Sequence, residues 1–522
     1  MSKLNPPATH PRKNAAVSAN GNLQDLKSDK QQLIELLSTC LYGKGDAFAT
    51  DTARMAQLRS IIRKLVVGGQ HNFIANAIVF ARTQMNIRTF PVIAAVEFAN
   101  ELRGAGMSYV HMRKVVSGVI HRADQITDLM AYAISVFTNK KAIPKAILRG
   151  VEDAFNKFNA YQFAKYNRAG GVKFTDALRI VHPTPKDDAQ AVIFDQLMNE
   201  TRPVPSANGL LPAADTWENR SSAAGTTGQS KQQVWDGLIA EDKLGYTAIL
   251  MNIRNMVEFC SPESLDTLAK RIREPKRVER SRVLPFQILQ AISYAESVPV
   301  LKRALNDALE LSLANVGALA EKIWLLVDSS GSMSSSQYSG NKSFVAADIA
   351  AIFTAAIARS AARDPELSAK FKMAVTLFDS KARNITLDID KPLNALFTYV
   401  RKLMTGGSTD LQAGLDQYKK LGFVPDVIVI ISDMQVNRMG RNSVNLPGTR
   451  IALNVCAESS TPVSDIQGWK QVSGFSSNVL DIIKHGVAGN DYMDLFEQPF
   501  TGKFELTTDQ HLQLLAVSND SE

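Results

Sequence analysis

One change of hydrophobic period divides the 522-residue chain and limits what it can fold into. From about Leu23 to Ala318, apolar residues recur at helical spacing with almost no strand signal. Past Leu313, strand-length runs at Ile323–Val327, Lys372–Phe378, Val427–Ile431 and Arg450–Cys456 alternate with helical runs at Phe344–Arg359, Pro392–Met404 and Leu411–Leu421. Such alternation builds an α/β doubly wound parallel sheet. The chain is therefore multidomain, as its length also demands. The division is expected between residues 318 and 319; with no flexible linker there, the two parts should pack together.

The first part reads as a file of helices. Asp29–Leu41, Thr52–Val67, Asn72–Met85, Phe90–Leu102, Tyr109–His121 and Ala123–Phe137 open it. Ile143–Phe158, Ala189–Met198, Tyr246–Phe259, Ser281–Tyr294 and Val300–Leu313 continue it, with breaks at Gly68-Gly69, Arg103–Met107 and Gly170-Gly171. Paired helices without heptads indicate a HEAT-like α-helical solenoid, whose stacked pairs share one continuous core. No fixed repeat period is visible, so an irregular bundle is the competing arrangement. Residues 1–22 read as a disordered tail, basic but without the apolar stretch of a secretory signal. Residues 202–232, rich in Ser, Gly, Ala and Thr, read as a surface loop.

The run Lys322–Ser334, KIWLLVDSSGSMS, drives a buried strand into Asp328, with Ser330 and Ser332 at alternate positions behind it. One carboxylate and two hydroxyls then reach a common point at the carboxyl edge of a parallel sheet, where open α/β folds put their ligands. Hard divalent cations such as Mg²⁺ take oxygen donors of this kind. A serine-rich helix cap would explain this stretch alone. Two later stretches argue against that reading: LMTGGSTD at Leu403–Asp410 offers Thr409, and VIVIISD at Val427–Asp433 ends a second buried strand in Asp433. Together the three loops resemble the metal-ion-dependent adhesion site of von Willebrand factor A domains. That resemblance assigns Asp328, Ser330 and Ser332 to the first loop, Thr409 to the second and Asp433 to the third.

Net charge is +8, and it is uneven. Between Ser135 and Lys186 stand ten basic residues, Lys140, Lys141, Lys145, Arg149, Lys157, Lys165, Arg168, Lys173, Arg179 and Lys186, against Glu152, Asp153 and Asp176. Lys270–Arg282 adds seven basic residues against two acidic ones. Such an excess favours an anionic partner, because basic side chains track phosphates. The interleaved Phe155, Phe158, Tyr161, Phe163, Tyr166 and Phe174 could stack bases, but core packing is the stronger reading. His182, just before Pro183, could be half-buried structure or an RNA contact. Cys40, Cys260 and Cys456 lack disulfide or zinc spacing, which fits a reducing cytoplasm, and no apolar run is long enough for a membrane helix.

A basic helical solenoid followed by such an α/β module resembles the Ro autoantigen family, the proteins with a TROVE module. LGYTAILMNIRNM (244–256), RVLPFQILQAISY (282–294) and AKYNRAGGVKFTDALRIVHP (164–183) are similar to that family's signatures. The resemblance implies a solenoid closed into a ring over residues 23–318 and a von Willebrand factor A-like domain over 319–522. It implies that small noncoding Y RNAs bind the outer basic surface, while 3′ ends of misfolded RNA enter a central hole. By position, Lys165 and His182 match RNA-contacting residues, and Arg168 stands one place early for a third. With these, Lys140, Lys141, Lys145, Arg149, Lys173 and Arg179 form the candidate RNA surface. Further implied are a 3′ exoribonuclease partner, an acidic protein ligand at the Mg²⁺ site, a monomeric state and a role in RNA quality control and stress response.

No nucleophile–base pair, phosphate loop or two-metal carboxylate cluster is visible, so catalysis is not expected. A metal-dependent phosphatase built on Asp328 and Asp433 is the enzymatic alternative. The rival from another class is a protein-interaction adaptor that uses the metal site, with the helical half as scaffold.

Overall fold

The structure, a computed structural model, describes residues 15–17, 23–39, 51–138, 142–167, 171–200, 208–281, 283, 285–312, 319–335, 345–361, 370–436, 445–456, 460–463, 468–474, 479, 482–483 and 493–504. The helical array opens with α1 (Asp29–Thr39), α2 (Asp51–Val67), α3 (His71–Thr83), α4 (Phe90–Gly104), α5 (Met112–Val119), α6 (Asp124–Phe137) and α7 (Lys145–Phe155). Then follow α8 (Ala160–Tyr166), α9 (Phe174–Val181), α10 (Asp188–Asn199), α11 (Trp217–Thr227) and α12 (Lys231–Ala240). The array ends with α13 (Tyr246–Phe259), α14 (Pro262–Ile272), α15 (Pro275–Ser281), α16 (Pro285–Tyr294) and α17 (Pro299–Ser312).

Local chemistry sets where several of these helices start. Side chains of Asn159, Asp187, Thr216, Ser230 and Ser261 each accept a hydrogen bond from a backbone N–H of the first turn. Proline stands in the first turn of α4 and α14, where its missing N–H costs nothing. Capping also explains a correction. Part of the stretch expected as a loop, 202–232, is helix α11 and the start of α12, held by Thr216 and Ser230 and by stacking of Trp217 on Trp235 at 6.0 Å. Residues 201–207 lie outside the described residues.

Each early helix packs on the next but one: α1 on α3, α2 on α4, α3 on α5, α4 on α6 and α5 on α7. Two layers shifted along one axis are the mark of a solenoid rather than a closed bundle. Where α5 crosses α7 the backbones nearly touch. A Cβ on Gly150 would lie 2.5 Å from the Val116 Cβ, so only glycine fits.

The α/β part carries a six-stranded sheet in the order β5-β4-β3-β6-β7-β9. Its members are β3 (Lys322–Asp328), β4 (Lys372–Phe378), β5 (Ala382–Ile385), β6 (Val427–Ser432), β7 (Thr449–Asn454) and β9 (Trp469–Ser473). All pairs are parallel except β4–β5. Alternate residues feed two cores. Ile323, Leu325 and Val327 join the main core with α18 (Gly331–Ser335), α19 (Ala346–Ala361) and α20 (Leu393–Leu403). Trp324, Leu326, Ile428 and Ile430 pack on the opposite face against α21 (Leu411–Leu415). Both faces are covered, which explains the unbroken apolar strands.

Two further corrections concern the N-terminus. Ala15–Val17, expected in the disordered tail, forms β1, and Leu23–Leu26, at the start of the part expected to show almost no strand, forms β2. They pair antiparallel with each other, and β2 continues onto β8 (Ser460–Thr461) of the α/β part. Backbone pairing across the chain outweighs a polar sequence there.

The two parts share one core, and both ends of the array meet the α/β part. At the far end, α16 and α17 contact α19 and α20, and Glu310 accepts from the Leu393 N–H at 2.7 Å. At the near end, α1 packs on β9, while the segment 493–504, with α22 (Asp494–Glu497), lies along α3. There Phe496 meets Phe80 at 5.0 Å and Asn76 donates to the Gln498 carbonyl at 2.8 Å. Glu35 of α1 is the polar centre of that contact. It pairs with Lys27 at 2.5 Å and accepts from Asn454 Nδ2 at 2.6 Å and Ser473 Oγ at 3.2 Å, all buried.

Removing one partner of a buried pair strands the other charge. Glu35→Ala is therefore expected to destabilise the protein by roughly 3–5 kcal/mol, and Lys27→Met with Glu35→Leu to recover most of the loss. Chemical denaturation of both variants measures this.

Candidate metal centre and nucleic-acid interface

Parallel register puts the ends of β3 and β6 side by side, with Val327 opposite Ile431. Asp328 and Asp433 thus leave the same sheet edge, both fully buried. Asp328 Oδ1 accepts from the Ser330 N–H at 2.9 Å, and Oδ2 from Ser432 Oγ at 2.6 Å. Ser330 and Ser332 hydroxyls lie 3.1 Å apart, and Asp433 Oδ1 accepts from the Gln435 N–H at 3.0 Å. Met434, next to Asp433, is held in the left-handed region at φ 63°, a cost accepted where the surroundings fix the backbone.

The second loop is tied to the first through backbone. Gly331 N–H donates to the Gly407 carbonyl at 2.9 Å and Gly406 N–H to the Ser329 carbonyl at 3.0 Å. Gly407, at φ 135°, adopts a conformation that favours glycine, and it lets the loop carrying buried Thr409 turn onto the edge. Asp328, Ser330 and Ser332 are thus brought together, Asp433 leaves the same sheet edge, and the loop that carries Thr409 is tied to Ser329 and Gly331 through backbone. Burial pushes the Asp328 carboxyl up to about 6, with Asp379 nearby adding to it against the hydrogen bonds from Ser330 and Ser432. Such a carboxylate lacks positive charge, and a hard cation would supply it. Among the described residues no three His, Cys, Asp or Glu side chains gather to hold a metal.

Two residues at this edge escaped the sequence reading. Ser432 orients Asp328 across strands, and Asp379, at the end of β4, accepts from Ser329 Oγ at 3.1 Å. Only strand order could have revealed them.

On the basic stretch, Lys145 and Arg149 sit one turn apart on exposed positions of α7. Lys173 and Arg179 are exposed at the two ends of α9, which packs on α7. His182 is the left-handed C-cap of α9, exposed, with its N–H donating to the Leu178 carbonyl. The three acids of the stretch are engaged elsewhere: Asp153 pairs with Arg113 at 2.6 Å, Asp176 caps α9 at Lys173 N–H, and Glu152 accepts from the Thr184 N–H. The basic face thus keeps its charge. Lys157 does not belong to it, since its amine caps α5 at the Ser117 and Ile120 carbonyls. Lys140, Lys141 and Arg168 lie outside the described residues.

Four of the interleaved aromatics are core: Phe155, Phe158, Phe163 and Phe174 pack on one another. Tyr166 differs, since Lys165 Nζ sits 5.6 Å and the Arg122 guanidinium 4.7 Å from its ring centre. In the second cluster Arg271 and Arg277 both pair with Asp242, while Lys270, Arg273, Lys276 and Arg280 are exposed.

Ser432→Ala removes the hydroxyl that holds Asp328 Oδ2. The expected result is a loss of about 1–3 kcal/mol in unfolding free energy, read by chemical denaturation.

Comparison with known proteins places this geometry. Residues 13–207 and 209–360 match the family model of the TROVE domain, running past the expected division into β3 and α19. The fold is similar to the crystal structure of the Ro (RSR) protein of Deinococcus radiodurans, with a TM-score of 0.57 and 18% sequence identity, over 87% of this chain and 99% of that one. The protein belongs to the TROVE domain family, the one its resemblance to the Ro autoantigens implied.

Proposed function

We propose that this protein is a noncoding-RNA-binding protein, with Y RNA and single-stranded 3′ ends of misfolded RNA as its ligands. The observation that carries this reading is the exposed basic face of α7 and α9, whose own acids are spent on structure. Lys145, Arg149, Lys165, Lys173, Arg179 and His182 would contact the RNA there. Contacts of both ends of the array with the α/β part, α1 on β9 and α17 on α20, support a ring with a central hole. Single strands would enter that hole, and folded RNA would bind the outer surface. Contacts of this kind run mainly to phosphates, so binding should weaken steeply with salt and read little sequence. The reading includes a cytoplasmic role in RNA quality control and stress response, in which a 3′ exoribonuclease degrades the RNA held in the hole.

The α/β module, on this reading, is a von Willebrand factor A-like domain with an adhesion-type metal site, which its mostly parallel sheet supports. Asp328, Ser330, Ser332, Thr409 and Asp433 would hold Mg²⁺, which supplies a point of attachment for an acidic group of a protein partner. The buried, oxygen-only environment of Asp328 fits that cation. The module then acts by binding, without chemistry of its own.

Two experiments test these readings. Lys165→Glu combined with His182→Ala should weaken binding of a structured RNA with a free 3′ tail by at least tenfold at moderate salt, about 1.4 kcal/mol, in an electrophoretic shift assay. Unchanged affinity would leave the interaction-adaptor reading in its place. Asp328→Ala should abolish Mg²⁺ binding in calorimetry, and retained stoichiometric binding would reject the metal assignment.

A further inference from the structure

A cleft of about 510 Å³ opens between α4 and α6, within the ~300–1,000 Å³ range of small-ligand sites. Val92 and Ile93 of α4 and Ala131 of α6 give it apolar walls, and Arg88, Arg122 and Asp128 line it with charge. The two guanidiniums are neighbours: burial and the Arg122 charge both push the Arg88 guanidinium down. Asp124, which also lines the cleft, pairs with Arg122 and offsets part of this by favouring the charged form of Arg88. Arg122 also lies over the Tyr166 ring that Lys165 approaches from its own helix. The cleft therefore holds Arg88 and Arg122 with the acids Asp124 and Asp128, and Lys165 lies beyond the Tyr166 ring that Arg122 covers. Like charges held together in a fold create a binding site for an anion.

We propose that this cleft takes one unpaired nucleotide of a single-stranded RNA, with its phosphate between Arg88 and Arg122 and its base between the walls of α4 and α6. Asp128 accepts a hydrogen from the base's exocyclic amine. The inference rests on the RNA-binding reading and extends it, since it gives the single strand a seat that a duplex, with its bases paired and stacked, cannot fill. Burial and the nearby Asp124 charge push the Asp128 carboxyl up, and a donor from the ligand compensates this. The same chemistry would also suit a free nucleoside monophosphate.

The test uses the full-length protein and fluorescence anisotropy with a labelled single-stranded RNA, the matching duplex, and unlabelled cytidine and adenosine monophosphates as competitors. Arg88→Ala should weaken single-strand binding about tenfold and lower the salt slope by about one. Ala131→Trp, which fills the cleft, should weaken the single strand while leaving duplex binding unchanged. Melting temperatures of both variants confirm folding, and Arg88→Lys should restore part of the affinity. Lys173→Glu reports separately on the outer basic face. If it weakens RNA binding while Arg88→Ala and Ala131→Trp bind like the unaltered protein, the cleft assignment falls and the RNA reading stands. If the unaltered protein binds neither RNA, both fall. If a monophosphate binds in an Arg88-dependent way but RNA affinity ignores Arg88, the ligand is a free nucleotide and the strand assignment is overturned.

Discussion

The carboxyl edge of the parallel sheet is the constraint on which the rest of the molecule depends. Parallel strands end together, so their last side chains converge on one line. Two buried acidic centres use that line at neighbouring positions. At β3 and β6 it carries Asp328 and Asp433, and at β7 and β9 it carries Asn454 and Ser473, which grip Glu35 of α1. The neighbouring strands are locked in register, with Ser432 opposite Asn454. Thus the strand pair that orients Asp328 through Ser432 also anchors the first helix of the array. The two acidic centres differ in what satisfies them. Glu35 has a lysine within 2.5 Å, whereas Asp328 has hydroxyl and amide donors and a second aspartate nearby. The first is a closed structural pair, and the second is the place where a cation from solution is proposed to bind.

Much of this organisation is written locally in the chain. The switch from helical to strand–helix spacing marked both parts, and the four interior strands fall within a residue or two of their apolar runs. Asp328, Ser330 and Ser332 were legible because their spacing alone brings them together. What stayed hidden depends on partners far away. Ser432 matters through the register of β6 with β3, and Arg88 and Arg122 meet only because α4 and α6 pack. Strands β1, β2 and β8 have two to four residues each and little apolar pattern, so only pairing defines them. Helices α8, α14 and α15 escaped notice because their buried residues are few among charged and polar ones. In α15, Val278 alone is buried.

The electrostatics of the array follow from how its acids are used. A surface salt bridge contributes little to stability, yet it cancels local charge. Glu97 and Glu101 are buried against Arg59 and Arg63 of the preceding layer, and Asp242 holds Arg271 and Arg277. These acids join helices to one another. Around α7 and α9 they are likewise committed to caps and to Arg113, and Lys145, Arg149 and Lys173 stand exposed there. Internal packing of the solenoid therefore determines where the positive face lies.

A uniformly cationic surface attracts any phosphate chain and distinguishes little. Discrimination has to come from shape, and the relevant shape is the difference between an exposed base and a stacked one. Duplex RNA shows its phosphates but keeps its bases inside, so it gains only from the outer lysines and arginines. In the proposed cleft a single strand would add a base to an apolar wall and a phosphate to the partly exposed pair Arg88 and Arg122, two contributions that a duplex cannot make together. The cleft at Arg88 and Arg122 lies one aromatic ring away from Lys165, on the edge of the basic stretch. On the proposed reading, a strand held loosely by the surface would be held tightly at a single nucleotide, and selection for unpaired RNA would require no reading of its sequence.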